Sequence, residues 1–287
     1  MTNSIETSAS DRDVLSRSAV RDYVKHVCPE NYVDQLLEVA REYTDHELPH
    51  YTDALTAAFH DVQPVFTRPR YAEFFWHCAT TVPGYAARVT LANGPAESEG
   101  SEKLFTLWQG VQHDDSAAEQ VLQHARDESA HSRLFVRLTE AAFPEFLPPG
   151  AGAQLAGAMP DIRNRPLVKT PAPVPHEHLI DHLVQMNIGE IRTRLHMHLF
   201  APIIHGFAPE EGKPTSRRIL ESLVGDEVRH IGYTALLMEQ WSTEGAGDRI
   251  RALYQNRLHI FNELTVEQTE GAVRSYGRGE FPDLLEI

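Results

Sequence analysis

The sequence predicts an all-α fold: a helical bundle with extra helices on its N- and C-terminal sides. Three observations carry this. Apolar residues recur at helical spacing, as in Phe75, Cys78, Val82, Tyr85 and Val89; no segment alternates apolar and polar residues around a hairpin turn; and no unit of about 20 to 50 residues repeats. At 287 residues the chain is long enough to bury a large core without disulfides or structural zinc.

The elements follow in order. Residues 1–10 are polar and read as a disordered head, leaving 11–287 as one helical domain. Ser10 or Asp11 can cap a helix to about Val27, and the stretch from Pro29 to Val62 reads as one or two more, broken at Pro49. The helix that begins near Tyr71 is expected to kink at Pro83-Gly84 and to end at Asn93-Gly94-Pro95. A shorter helix then runs from about Pro95 to Val111, and Asp114 or Asp115 is placed to cap its successor, which reaches about Phe143. Residues 144–175, with Pro148-Pro149-Gly150, Pro171, Pro173 and Pro175, keep no period and read as a long connection that crosses the bundle or lies over a site as a lid. Helices are expected again at 176–200, 216–241 and 247–273.

Composition excludes several classes. With 26 basic and 41 acidic residues the formal charge is -15, which is the wrong sign for a nucleic-acid surface. Two cysteines are too few for a disulfide framework or a thiolate zinc site. The polar start and the lack of any run of about 18 apolar residues predict neither export nor a membrane span, so a cytoplasmic location is expected. Sixteen histidines supply ample nitrogen donors.

Glu-x-x-His places a carboxylate and an imidazole one helical turn apart, where both can reach one metal ion. Three such pairs occur, Glu47/His50, Glu128/His131 and Glu227/His230, whereas composition alone would give about one or two. The first contains Pro49 and is set aside as accidental. The other two interrupt apolar stripes: Ala117, Val121, His124, Glu128, His131, Phe135 on one helix, and Leu220, Leu223, Glu227, His230, Thr234, Leu237 on another. Between them Leu179, Leu183, Met186, Glu190, Thr193 and Met197 form a stripe with a carboxylate at its centre, placed to bridge two ions. Buried, unpaired carboxylates cost several kcal/mol each, so Glu and His buried from three helices imply a shared partner, and two metal ions are the simplest one. Oxygen and nitrogen donors without thiolate suit iron, or manganese as the alternative, better than zinc.

Asp127-Glu128-Ser129-Ala130-His131 and Asp226-Glu227-Val228-Arg229-His230-Ile231-Gly232-Tyr233 resemble the Asp-Glu-x-x-His helices of ferritin-like di-iron oxidases and oxygenases. The resemblance covers about residues 95–241, with metal-binding helices at about 95–143, 176–200 and 216–241. It implies a further glutamate on the helix before the first motif. Glu97 best shares a face with Leu104, Trp108 and Val111, although Gly100 weakens that helix. The spacing from Glu128 through Glu190 to Glu227 also resembles haem-oxygenase-like di-iron oxidases, which usually carry another histidine where this chain has Leu223. His124, one turn before Glu128, is the other candidate for the sixth ligand, with a hydrogen-bonding or merely buried role left open. His196 and His198 flank the Glu190 stripe as candidates for a hydrogen bond to a ligand, while Trp76, Tyr85, Trp108 and Tyr233 read as core or pocket wall.

The resemblance implies O2 activation at two Fe ions, with Glu128, Glu190 and Glu227 as the catalytic carboxylates. The expected partners are a small-molecule substrate, O2 and an electron donor, and a homodimer stays open. N-oxygenation of an amine or amino-acid-derived substrate is the leading reaction. Oxidative C–C cleavage or desaturation of an acid is the second, and ferritin-like iron oxidation and storage the third.

Overall fold

In the computed structural model, which describes residues 17–29, 32–82, 84–112, 114–170 and 172–275, no strand occurs among the described residues. The helices are α1 (Arg17–Val27), α2 (Tyr32–Tyr43), α3 (Pro49–Val62), α4 (Pro69–Thr81), α5 (Tyr85–Gly110), α6 (Asp115–Ala142), α7 (Ala151–Ala158), α8 (His176–Phe207), α9 (Lys213–Trp241) and α10 (Gly247–Ser275). The expected head, residues 1–10, and the expected start of the first helix at Ser10 or Asp11 lie outside the described residues.

Four long helices make the central bundle. α5 and α6 form one antiparallel pair and α8 and α9 the other, with α9 also packed on α6. Asp114 caps α6 as its sequence position suggested, accepting a hydrogen bond from Ala117 N at 2.8 Å. The connection from α6 to α8 ends beside the C-terminus of α5, where Thr170 N donates to Gln109 O at 2.9 Å and Val174 N to Gly110 O at 2.8 Å. That is the end at which α6 begins, so α6 and α8 run in the same direction and the order is up, down, down, up. One long crossover between two antiparallel pairs is an arrangement that four-helix bundles use to bring carboxylates into a shared core.

The connection is more structured than its composition suggests. It contains α7 and a 3-10 turn at Ile162–Asn164, and it is fastened along its course. Arg133 donates to Met159 O at 2.9 Å, Ile162 N to Ser129 Oγ at 3.2 Å, and Lys169 Nζ to Trp108 O at 2.6 Å. These contacts tie it to the outside of the α5/α6 pair, which satisfies backbone and side-chain donors that a bare loop would leave to solvent.

Three expectations of where helices end or bend are wrong. Asn93-Gly94-Pro95 does not end a helix: α5 runs through it without a break. Gly94 is where α5 lies against α6, since a Cβ there would stand 3.0 Å from Ser132 O, and Pro95 faces outward, so its missing N–H is not buried. Packing of the two backbones outweighs the local turn signal. The helix expected at 176–200 continues to Phe207 with Pro202 inside it. At the Pro83-Gly84 position the chain ends one helix at Thr81 and starts another at Tyr85, with Gly84 at φ 76° and Pro83 outside the described residues, so this is a break and not a kink.

The N-terminal helices and α10 wrap the α8/α9 pair. α2 packs on α9, and α3 packs on α10, which in turn lies against α8. Asn187, fully buried on α8 one turn before Glu190, ties these layers together. It accepts from Tyr254 Oη at 2.9 Å and Tyr51 Oη at 3.3 Å, and donates to Thr234 Oγ1 at 2.8 Å. A buried amide with all its partners fixes the rotation of α8 and so the direction of Glu190. Among the described residues, no helix is long and apolar enough to cross a membrane.

Candidate metal centre

Glu97 on α5, His124, Glu128 and His131 on α6, Glu190 on α8, and Glu227 and His230 on α9 meet in the middle of the bundle. Six of the seven are buried, between 0 and 5 % exposed. Glu97 is partly exposed as a residue, yet its carboxyl meets that of Glu128. The helices place them through the periodicity of their stripes, since His124, Glu128 and His131 share one face of α6, as Glu227 and His230 share one face of α9.

The donor atoms fall into two groups. Donor atoms of His124, Glu128, Glu190 and His230 all lie within 4.8 Å of one another, as do those of Glu97, Glu128 and His131. Glu128 belongs to both. Its Oε1 is 3.4 Å from His230 Nδ1, 3.6 Å from His131 Nδ1 and 3.1 Å from His124 Nε2. His124 Nε2 also lies 3.2 Å from Glu190 Oε1, and its ring stacks on that of His230 with centroids 3.6 Å apart. Glu227 joins the cluster through a hydrogen bond with Glu190.

Four carboxylates in one buried site repel one another, and without a cation they cannot all be ionised. Burial first, and then Glu128, push the Glu97 carboxyl well above the usual range; burial and Glu190 do the same to Glu227. Burial also works to raise Glu128, but hydrogen bonding from Glu97 and the imidazoles of His131 and His124 outweigh it and hold Glu128 well below the usual range. Glu190 is raised by burial and by Glu128, yet His124 and His230 bring it down to about 2. Such a split among neighbouring carboxyls is the signature of excess negative charge sharing too few protons.

Of the six buried side-chain polar atoms without a hydrogen-bond partner among the described residues, three lie together: His131 Nδ1, His230 Nδ1 and Glu227 Oε2. All three belong to the cluster. Orphaned donors and acceptors of this kind are rare in a folded interior, and here they converge where a cation would also neutralise the carboxylates. The residues therefore fit a pair of metal ions bound by mixed oxygen and nitrogen donors, the donor set that suits iron or manganese.

The far nitrogens of the two motif histidines are held by aspartates from across the bundle. His131 Nε2 lies 3.0 Å from Asp226 Oδ2, and His230 Nε2 lies 3.4 Å from Asp127 Oδ2. Arg229 joins both aspartates, to Asp127 Oδ2 and to Asp226 Oδ1, each at 2.6 Å. Each Asp-Glu-x-x-His motif thus supplies the aspartate that orients the imidazole of the other. Burial lowers the pKa of His131, but Glu128 and Asp226 raise it to about 9; Asp226 itself falls to about 2 despite burial, through His131 and Arg229.

Tyr233, expected as core or pocket wall, is buried and also bonded to the cluster: its hydroxyl sits 2.8 Å from His124 Nδ1, while Nε2 of that ring is turned to Glu128 and Glu190. Sequence reasoning gave no role to Asp127, Asp226 or Arg229. Adjacency within the motifs could have found them, since the residue before each glutamate points about 100° around the helix, toward the neighbouring helix. His196 and His198, expected as partners of a ligand, bond elsewhere. His196 Nε2 meets Tyr71 Oη at 2.9 Å, and His198 meets Arg194. Of the pair set aside as accidental, His50 binds Glu239 at 2.7 Å, far from the cluster in sequence and on a different element, and Glu47 is exposed. No family model, curated protein or solved structure matches the chain.

Proposed function

We propose that this chain is a non-haem di-iron oxidoreductase that activates O2 to oxidise a small organic molecule. The observation that carries the reading is the convergence of four carboxylates and three imidazoles on a site with three orphaned buried atoms. One ion would be held by Glu97, Glu128 and His131, the other by His124, Glu128, Glu190 and His230, with Glu227 beside Glu190; Glu128, and not Glu190 as its lone place on its helix suggested, is the residue common to both groups. This assignment gives both Glu97 and His124 a place. The up-down-down-up order favours the ferritin-like over the haem-oxygenase-like topology.

A reduced di-iron pair in such a site supplies the reaction of O2 with organic molecules, chemistry that no side chain offers by itself. The chain's own groups do the rest. Asp226 and Asp127 fix the ring orientation of His131 and His230, with Nε2 outward and Nδ1 toward the site, and Arg229 keeps both aspartates ionised beside them. Tyr233 fixes His124 in the same way. The apolar residues that flank each stripe exclude water.

N-oxygenation of an amine or amino-acid-derived substrate is the leading reaction, because the added imidazole of His124 beside Glu128 and His131 resembles the imidazole-enriched helices of some di-iron N-oxygenases. Oxidative C–C cleavage or desaturation of an acid would use the same site. The test is a turnover assay: protein loaded anaerobically with Fe(II) is given O2, a reductant and a panel of amines and carboxylic acids, and products are read by mass. Gain of one oxygen atom on an amine supports the leading reaction, and loss of carbon or of two hydrogens from an acid supports the second. Uptake of iron far beyond two ions per chain with no organic product would instead make the protein an iron store.

A further inference from the structure

The outer face of α8 carries a second group of polar side chains that the metal centre does not use. Arg194, one turn beyond Glu190, lines a cavity of about 220 Å³ between α1, α2 and α8. Part of the lining is apolar, from Val27, Leu36, Val39 and Leu195, and part is charged, with Arg194 opposed by Glu38 and Glu42. The two glutamates stand one turn apart on α2 and are exposed at the mouth.

The guanidinium of Arg194 is only partly engaged. Its Nη1 donates to His198 Nε2. His198 can accept because it is neutral: burial first, then Arg194 and His26, push its pKa down to about 4. Arg194 Nε is buried and has no hydrogen-bond partner among the described residues, and no ion pair joins Arg194 to Glu38 or Glu42. A guanidinium that lines a cavity with one of its nitrogens engaged by the protein and no carboxylate paired to it keeps donors for a ligand carboxylate.

We propose that this cavity binds a zwitterionic α-amino acid, with its carboxylate on the guanidinium of Arg194, its ammonium group toward Glu38 and Glu42, and an apolar side chain against Leu36, Val39 and Leu195. The volume lies below the roughly 300 Å³ at which pockets for drug-sized ligands begin, as suits a single small metabolite. A more open cavity of about 590 Å³ adjoins it at Glu42, Arg194 and His198 and continues over Met197, Leu220 and Val224, which leaves room for a longer side chain.

The test is calorimetric titration of the purified full chain with L-leucine and L-phenylalanine, and with the two halves of leucine. These are 4-methylpentanoate, which lacks the ammonium group, and 3-methylbutylamine, which lacks the carboxylate. At least one amino acid should bind saturably at one site per chain, and each half of leucine at least about tenfold more weakly. Arg194→Met should abolish binding while iron stoichiometry stays unchanged. If that variant does not fold, Arg194→Lys, which keeps the charge but not the fork, and the surface variant Glu42→Gln should each weaken binding several-fold. Absence of saturable binding by both amino acids up to about 10 mM would overturn the proposal. So would 4-methylpentanoate binding as tightly as leucine, which would make the cavity a simple anion site, or leucine binding that is indifferent to all three substitutions.

Discussion

Asp226 on α9 reaches across the bundle to His131 on α6, placing Oδ2 3.0 Å from Nε2, while the other ring nitrogen of His131 faces Glu128 without a hydrogen bond. An imidazole held at its outer nitrogen has one orientation and one tautomer to offer a metal. Asp226→Asn should therefore weaken Fe(II) affinity by about 10- to 100-fold without unfolding the chain, because Asp226 is partly exposed and the amide is isosteric. Equilibrium dialysis reads the effect. Unchanged affinity would mean that His131 is not a ligand.

His124 and Tyr233 form the second relationship to test. His124→Ala should keep at least one iron but lose most O2-dependent product formation. Tyr233→Phe removes the hydroxyl beside Nδ1 and should keep both irons while altering the Mössbauer spectrum of the reduced protein. If both variants match the parent in iron count, spectrum and product, His124 is only a buried neighbour of the site.

His196 gives a pH-dependent prediction away from the cluster. Its ring packs near those of Tyr71 and Phe75, and burial first, then Arg192, lower its pKa from 6.5 to about 3. The folded protein thus holds the imidazole neutral where the unfolded chain would take up a proton. Its contribution to stability is fully present above pH 6.5 and is lost as pH falls toward 3, by at most about 1.4 kcal/mol per pH unit. Replacing His196→Phe keeps the stacking and removes the titration. Denaturant midpoints between pH 6.5 and 4 should fall less steeply in the variant than in the parent, and parallel slopes would show that His196 does not stay neutral in the fold.

Gly232 follows the second motif directly, at the point where α9 crosses α2. A Cβ built there would overlap the Tyr43 side chain. Gly232→Ala should cost about 1–3 kcal/mol as the two helices separate, read as a lower unfolding midpoint. An alanine variant as stable as the parent would mean that Tyr43 swings aside at no cost.

Much of the site was legible because the polar residues stand in stripes that burial reserves for apolar ones. Glu128, His131, Glu190, Glu227 and His230 announce themselves by interrupting runs such as Leu179, Leu183 and Met197. Glu97 and His124 were harder to choose between, since neither belongs to a Glu-x-x-His pair. The fold brings both to the cluster, one in each group of donor atoms. The continuity of α5 was not legible. Asn93-Gly94-Pro95 is a strong local stop signal, and only the close approach of Gly94 to Ser132 explains why the helix passes through it. Nor could the sequence show that Asp127 and Asp226 exchange partners between helices, because that pairing depends on how α6 and α9 lie against each other.

The central claim is that these residues hold two iron ions, and anaerobic titration of the metal-free protein with Fe(II) tests it most directly. Binding should saturate at two ions per chain, and Glu190→Ala, which removes a carboxylate from the middle of the cluster, should reduce the count to one or none. No bound iron in the parent would mean that the seven residues are only a buried network of hydrogen bonds and ion pairs. Two ions bound equally well by Glu190→Ala would contradict the place assigned to Glu190.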